Sequence, residues 1–204
     1  FVPGNRAADI APVFDRLKSF LKDFVPAAVA HQEAKRARRP LKPLNAPFSI
    51  EKQKALGLAV MEAIGFDFDH GRLDVSHHPF CGGVPTDVRM TTRYTTGEFI
   101  SSLMGIIHET GHGLYEQGLP KEWSHFAIGK ARGMAIHESQ SLFMEKQVGR
   151  SAEFWEWAMP HVREKLGAEA IAGWDLEDVL AHVHMIERGL IRVGTLPVLD
   201  AEAR

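Results

Sequence analysis

Ile106-Ile107-His108-Glu109-Thr110-Gly111-His112-Gly113-Leu114 is the stretch that decides how this chain is read. With Phe99, Ile100, Leu103 and Met104 before it, residues 98–117 are apolar over much of a helical circumference, as in a buried helix. Gly118 and Pro120 then supply stop signals. On such a helix, histidines four positions apart lie on one face, about 40° apart around the axis. Both imidazoles can reach one cation, and Glu109 projects beside an open coordination position as a base. The plainer alternative is a surface or hydrogen-bonded histidine pair. On a buried helix it strands polar nitrogens at about 1–3 kcal/mol each.

A catalytic zinc site takes three protein ligands and a water. The candidate third ligand is Glu138, in Gly133-Met134-Ala135-Ile136-His137-Glu138-Ser139-Gln140-Ser141-Leu142. Helical spacing sets it on the stripe with Met134, Ala135 and Leu142, the apolar side, where an unpaired carboxylate is expensive to bury. Either a metal or an arginine or lysine partner relieves that burial. His137 competes as a ligand but points roughly 100° away on the same helix. It therefore lines the pocket or supports the ligands.

These residues, with others in order along the chain, resemble the M32 metallocarboxypeptidases of the thermostable carboxypeptidase type. The resemblance rests on His78-Pro79-Phe80, Asp87-Val88-Arg89-Met90-Thr91, His108 to His112, His137-Glu138-Ser139-Gln140 and Ile191-Arg192. It implies a mainly α fold, a zincin-like helical metallopeptidase core with a small β element near residues 87–95. It further implies His108, His112 and Glu138 as ligands of Zn²⁺ (or Co²⁺) and Glu109 as general base. His78, Arg89, Thr91 and His137 would line the substrate groove, and Arg192 would meet the terminal carboxylate of a peptide. A homodimer is the family expectation. Two departures stand out: after Arg192 the chain reads Val193-Gly194-Thr195-Leu196-Pro197, so the Ala-Asp that ends the family's Ile-Arg-x-x-Ala-Asp motif is missing, and the downstream Gly-x-x-Gln-Asp-x-His-Trp motif is missing too. The expectation is the central catalytic portion of such an enzyme, with residues 194–204 as a divergent tail. The function implied is metal-dependent removal of C-terminal residues from peptides. The alternative is a truncated, inactive relative that binds metal or peptide.

Composition is consistent with this. A chain of 204 residues at 45% hydrophobic content can bury a real core, so a single domain over 1–204 is expected. A net charge of −2 points to neither nucleic acid nor an anionic membrane. Cys81, the only cysteine, excludes an intramolecular disulfide and fits a reducing cytoplasm. No apolar run is long enough for a membrane span.

Helical periodicity from Ile10 to Phe24 predicts a first helix ending near Pro26, with a second from Ala27 to Arg38. The run Lys35-Arg36-Ala37-Arg38-Arg39 suits a helix C-terminus. Ser49 caps a helix through Gly65, and residues 65–85 read as turn-rich and irregular. Val88, Met90, Thr92 and Tyr94 alternate with polar residues, which predicts a short strand. On its polar face Arg89 either pairs with Asp87 or touches substrate. Ser151 caps a further helix that Pro160 should kink, and Asp175 opens a last one toward Arg192. Trp155, Trp157 and Trp174 are read as core or interface residues rather than a ligand-stacking platform.

Overall fold

In the computed structural model, residues 4–187 are described. They fall into two compact units, the described residues up to Lys42 with those from His184 on, and residues 43–183.

The first unit is built on α1 (Ala7–Arg38). The Asp9 carboxylate accepts the Arg6 amide at 3.0 Å at its start, and Lys35, Arg36 and Arg38 complement the helix dipole at its end. The break expected at Pro26 does not occur, because α1 runs through both Pro12 and Pro26. A proline removes one backbone hydrogen bond, and the alanine-rich turn that follows, Ala27-Ala28-Val29-Ala30, is strongly helix-forming. None of its residues is buried; Val13, Phe14, Phe20 and Phe24 lie exposed along it.

The second unit is mainly helical: α2 (Ile50–Ala63), α3 (Ile100–Gln117), α4 (Met134–Leu142), α5 (Ala152–Leu166) and α6 (Leu176–Val183). Ser49 Oγ accepts the Lys52 amide and Ser151 Oγ accepts that of Phe154, which starts α2 and α5 where the sequence predicts. Between α2 and α3 lie β1 (Gly71–Val75), β2 (Phe80–Val84) and β3 (Asp87–Thr92) in the order β1-β3-β2, with β1 parallel and β2 antiparallel to β3. Thus β3 forms as its alternation predicts, with Val88, Met90 and Thr92 buried. The irregular segment expected over 65–85 in fact holds β1 and β2. Both flank β3 as outer strands, and β2 carries Gly82 and Gly83, so neither shows a clean two-residue period.

Two cores explain why α3 is apolar nearly all round. Leu103, Met104 and Ile107 pack into a helical core with Leu56, Val60, Trp155, Val162, Ile171, Trp174 and Val179. Ile106 faces the sheet and packs with Met61, Phe66, Val88 and Met90. Trp155 and Trp174 belong to the core as expected, but Trp157 is exposed, lying with its ring 4.4 Å from that of His161. On α5, two residues on from Trp155 is about 200° around the axis, toward solvent.

Candidate metal centre

His108, Glu109 and His112 are all buried on α3. The helix presents the Nε2 atoms of both histidines to one point, and α4 brings Glu138 to meet them. Glu138 Oε2 lies 3.7 Å from His108 Nε2 and 3.8 Å from His112 Nε2. One ligand atom from each of the three residues lies within 4.8 Å of the others. The donor set, two imidazole nitrogens and one carboxylate oxygen, fits a divalent cation of the zinc type.

The close approach of α3 and α4 depends on Gly111. A Cβ there would sit 2.6 Å from Ser141 Cα and 2.7 Å from Gln140 O, backbone atoms that cannot swing aside. Ser141 itself is buried and donates to Glu138 Oε2 at 2.8 Å, which fixes the carboxylate. Burial on an apolar side is not what brings Glu138 here. Its stripe is not a buried apolar side, since Met134 is 60% and Leu142 40% exposed, and the Glu138 side chain itself is 39% exposed. The carboxylate stands at the open rim of the site.

Each histidine is held from behind by a different network. His108 Nδ1 donates to Glu145 Oε2 at 3.0 Å, and Lys146 Nζ and Arg150 Nη2 donate to Oε1 of the same carboxylate at 2.5 and 3.4 Å. His112 Nδ1 meets His137 Nδ1 at 2.9 Å, and His137 Nε2 meets Glu116 Oε1 at 2.8 Å. The carboxylate requires the His137 proton on Nε2. His137 Nδ1 then accepts from His112 Nδ1–H, which leaves the His112 Nε2 lone pair facing the site. His137 is thus turned toward α3, its ring also against Tyr115.

Burial, helped by the Glu138 charge and opposed by His108, pushes the Glu109 carboxyl up to about 7. Burial and the neighbouring His108 drop His112 to about 4, which keeps it neutral. For Glu145 burial acts upward, but the hydrogen bonds from His108 and Lys146 outweigh it and hold the carboxyl near 2. Burial likewise works against the charged form of His108, yet Glu145 and Glu109 leave its pKa raised.

His78, Arg89 and Thr91 lie on the sheet side. A Cβ at Gly105, one turn before Glu109, would stand 3.8 Å from Thr92 Oγ1 and 4.0 Å from Pro79, so the 77–79 loop borders α3 near the histidines. His78 is exposed in that loop, and its carbonyl accepts from Thr91 Oγ1 at 2.9 Å. Arg89 is exposed and donates to both oxygens of Asp87 at 3.0–3.1 Å, so the ion-pair reading of this residue is realised. Cys81 is half-buried, its thiol pushed to about 12 by burial and by the charges of Glu109 and Glu116. Arg192 lies outside the described residues.

Glu145, Glu116 and Ser141 were missed in the sequence. Each carried a signal: Glu116 follows His112 by one helical turn, Ser141 follows Glu138 by one, and Glu145 follows Glu138 by two.

Known proteins resemble this chain along most of its length. The family model for the carboxypeptidase Taq (M32) metallopeptidases matches residues 1–195. Thermostable carboxypeptidase 1 of Thermus thermophilus is 40% identical over 194 residues, 95% of this chain and 37% of that protein. Carboxypeptidase 1 of Bacillus subtilis is 35% identical, over 89% of this chain and 36% of that protein. Metallocarboxypeptidase 1 of Trypanosoma cruzi superposes with a TM-score of 0.83 at 38% identity, covering 96% of this chain and 38% of that one. The chain therefore spans little more than a third of the length of the relatives it matches. It belongs to the M32 family of metallopeptidases.

Proposed function

We propose that this chain carries the metal-holding and proton-transferring core of a metal-dependent carboxypeptidase, acting on the C-terminal residues of peptides. The observation that carries this reading is the convergence of His108 Nε2, His112 Nε2 and Glu138 Oε2, with Glu109 buried beside them. Zn²⁺ suits the two-histidine, one-carboxylate set, and Co²⁺ can replace it.

When bound, such a cation supplies Lewis-acid polarisation of the scissile carbonyl and acidifies the attacking water. Glu109 takes the proton from that water and returns it to the leaving amine. A carboxyl held near 7 by its surroundings is well matched to accept and release a proton near neutrality. Glu138, at the open rim, leaves the solvent side free for a peptide to enter. Among the described residues no helix is long and apolar enough to cross a membrane.

The test separates binding from catalysis. Glu109→Gln keeps near-stoichiometric metal but loses hydrolysis of a blocked dipeptide, while His112→Ala loses the metal. Full peptidase activity in the Glu109 variant would remove it from the role of base. If the unaltered chain binds metal yet shows no chelator-sensitive hydrolysis, the alternative of a non-catalytic metal- or peptide-binding relative takes over.

A further inference from the structure

His108 is gripped at both nitrogens by one continuous helical segment. Its Nε2 faces Glu138 Oε2 on α4, and its Nδ1 faces Glu145 Oε2 on the π-helical turn (Phe143–Val148) that extends α4. A neutral imidazole has one N–H and one lone pair, and what faces one nitrogen decides what the other can do. We infer that Glu145 is a positioning residue for the metal: by accepting the Nδ1 proton of His108, it turns the Nε2 lone pair toward the cation. This rests on the reading that His108, His112 and Glu138 hold that cation.

Three features support the assignment. First, Glu145 is 2% exposed, and a buried carboxylate is retained only with partners. Its oxygens divide the work, Oε1 facing Lys146 and Arg150 and Oε2 facing only His108 among the bonds described above. The cations keep the group ionised without competing for the oxygen that orients the ring. Second, a single π turn is uncommon and occurs mostly at functional sites. Here it lies directly between the Glu138 turn and Gly149, the point where the segment ends. Third, the two histidines differ. His112 reaches its carboxylate, Glu116, only through the His137 ring, whereas Glu145 touches His108 directly. A carboxylate behind a ligating histidine raises the ligand's basicity and fixes its ring, and its loss typically weakens metal binding about 10–100-fold.

The rival explanation is a buried ion-pair cluster that only supports the fold. It predicts a lower melting temperature of the metal-free protein with metal affinity unchanged. The experiment is competition for Co²⁺ between the protein and a chromophoric chelator, for the unaltered chain and Glu145→Gln. The Gln amide can donate to Nδ1 and so favours the wrong tautomer. The expected result is Co²⁺ affinity weaker by about 10–100-fold and a shifted Co²⁺ visible spectrum. A folded Glu145→Gln whose affinity stays within about twofold, with the spectrum of the unaltered chain, overturns the inference. ¹⁵N shifts of the Zn²⁺-loaded unaltered chain give a second reading that needs no variant: metal on His108 Nε2 and proton on Nδ1 are expected, and the reverse refutes it. Should the unaltered chain bind Co²⁺ no better than His112→Ala, the metal-site reading itself falls and this inference with it. Unchanged affinity in Glu145→Gln, with binding by the unaltered chain intact, removes only the role of Glu145.

Discussion

The helical side of the site and its strand side follow opposite rules. On α3 and α4 the polar groups are buried, and each oriented atom has a partner that fixes it: Glu145 behind His108, His137 and Glu116 behind His112, Ser141 under Glu138. On the outer face of β3 the polar groups reach solvent, where Arg89 pairs with Asp87 and the Thr91 hydroxyl reaches a loop carbonyl, while Thr92 on the inner face is buried. Burial makes an unsatisfied polar group expensive, so on the helical side geometry follows from energetics. Solvent satisfies the strand side at little cost, so the same residue types there imply no single arrangement.

The largest break in this contrast comes from one methyl group. Gly111→Ala gains up to about 1 kcal/mol in helix propensity, but its Cβ meets the backbone of Gln140 and Ser141. Overpacking against groups that cannot move destabilises by about 1–3 kcal/mol. Relief requires α4 to shift, and that shift carries Glu138 away from the histidines. We expect a lower melting temperature and Co²⁺ affinity reduced at least about tenfold, the loss of one ligand being worth more than 1.4 kcal/mol. Chelator competition and thermal denaturation check both parts. An equal exchange in the loop between β3 and α3, Gly97→Ala, meets no atom within 4 Å and should leave metal affinity unchanged.

Metal removal should distinguish the halves next. A ligand at 100 times its Kd stabilises the folded state by about 2.7 kcal/mol. For a chain of this size that is a rise of roughly 5–10 °C in melting temperature. Glu109→Gln and Arg89→Ala should keep this rise, whereas His112→Ala and His108→Ala should abolish it. A retained rise in His112→Ala means the cation binds elsewhere.

Acid should then separate two carboxylates that their partners hold low, one on each side of the site. Glu145 is held near 2 against an ordinary 4.5, so its contribution to stability is complete above about 4.5 and is lost as pH falls toward 2. A shift of that size in a buried group corresponds to about 2 kcal/mol after discounting for relaxation. The metal-free unaltered chain should lose stability more steeply over that window than Glu145→Gln, measured by urea unfolding at successive pH values. Asp87 is also lowered, by its hydrogen bond from Arg89, but it is fully exposed. Its contribution fades in the same direction with falling pH and should vanish with added salt.

The contrast also explains what could be read from the amino acids alone. His108, Glu109 and His112 were legible because a one-turn spacing on an apolar helix has few physical outcomes. Glu138 does meet the two histidines, but the premise of burial behind expecting it there was mistaken. Its carboxylate is half-exposed at the rim, and Ser141, not the apolar side of α4, holds it. Gly111 could not be read, because nothing along the chain marks which glycine another helix will press against. The outer strands β1 and β2 left no alternation because each is paired on one side only and β2 is glycine-rich. Pro26 misled because a proline's local penalty is outweighed when strong helix formers follow it.

The smallest effect is the sharpest test of the strand side. Arg89→Ala removes an exposed, two-pronged ion pair with Asp87. Exposed pairs contribute only about 0.2–1 kcal/mol, less with salt, so the melting temperature should move by no more than about 2–4 °C. Any larger consequence must come from substrate. If Arg89 only shapes β3, kcat and KM for a blocked dipeptide stay within about twofold of those of the unaltered chain. If its guanidinium is lent to a peptide carboxylate, KM rises with kcat little changed, the mark of binding lost equally from ground and transition states. Asp87→Asn decides between the two. It frees Arg89 while leaving its charge, so KM should fall or hold if the arginine meets substrate. If the pair is purely structural, Asp87→Asn and Arg89→Ala should behave alike.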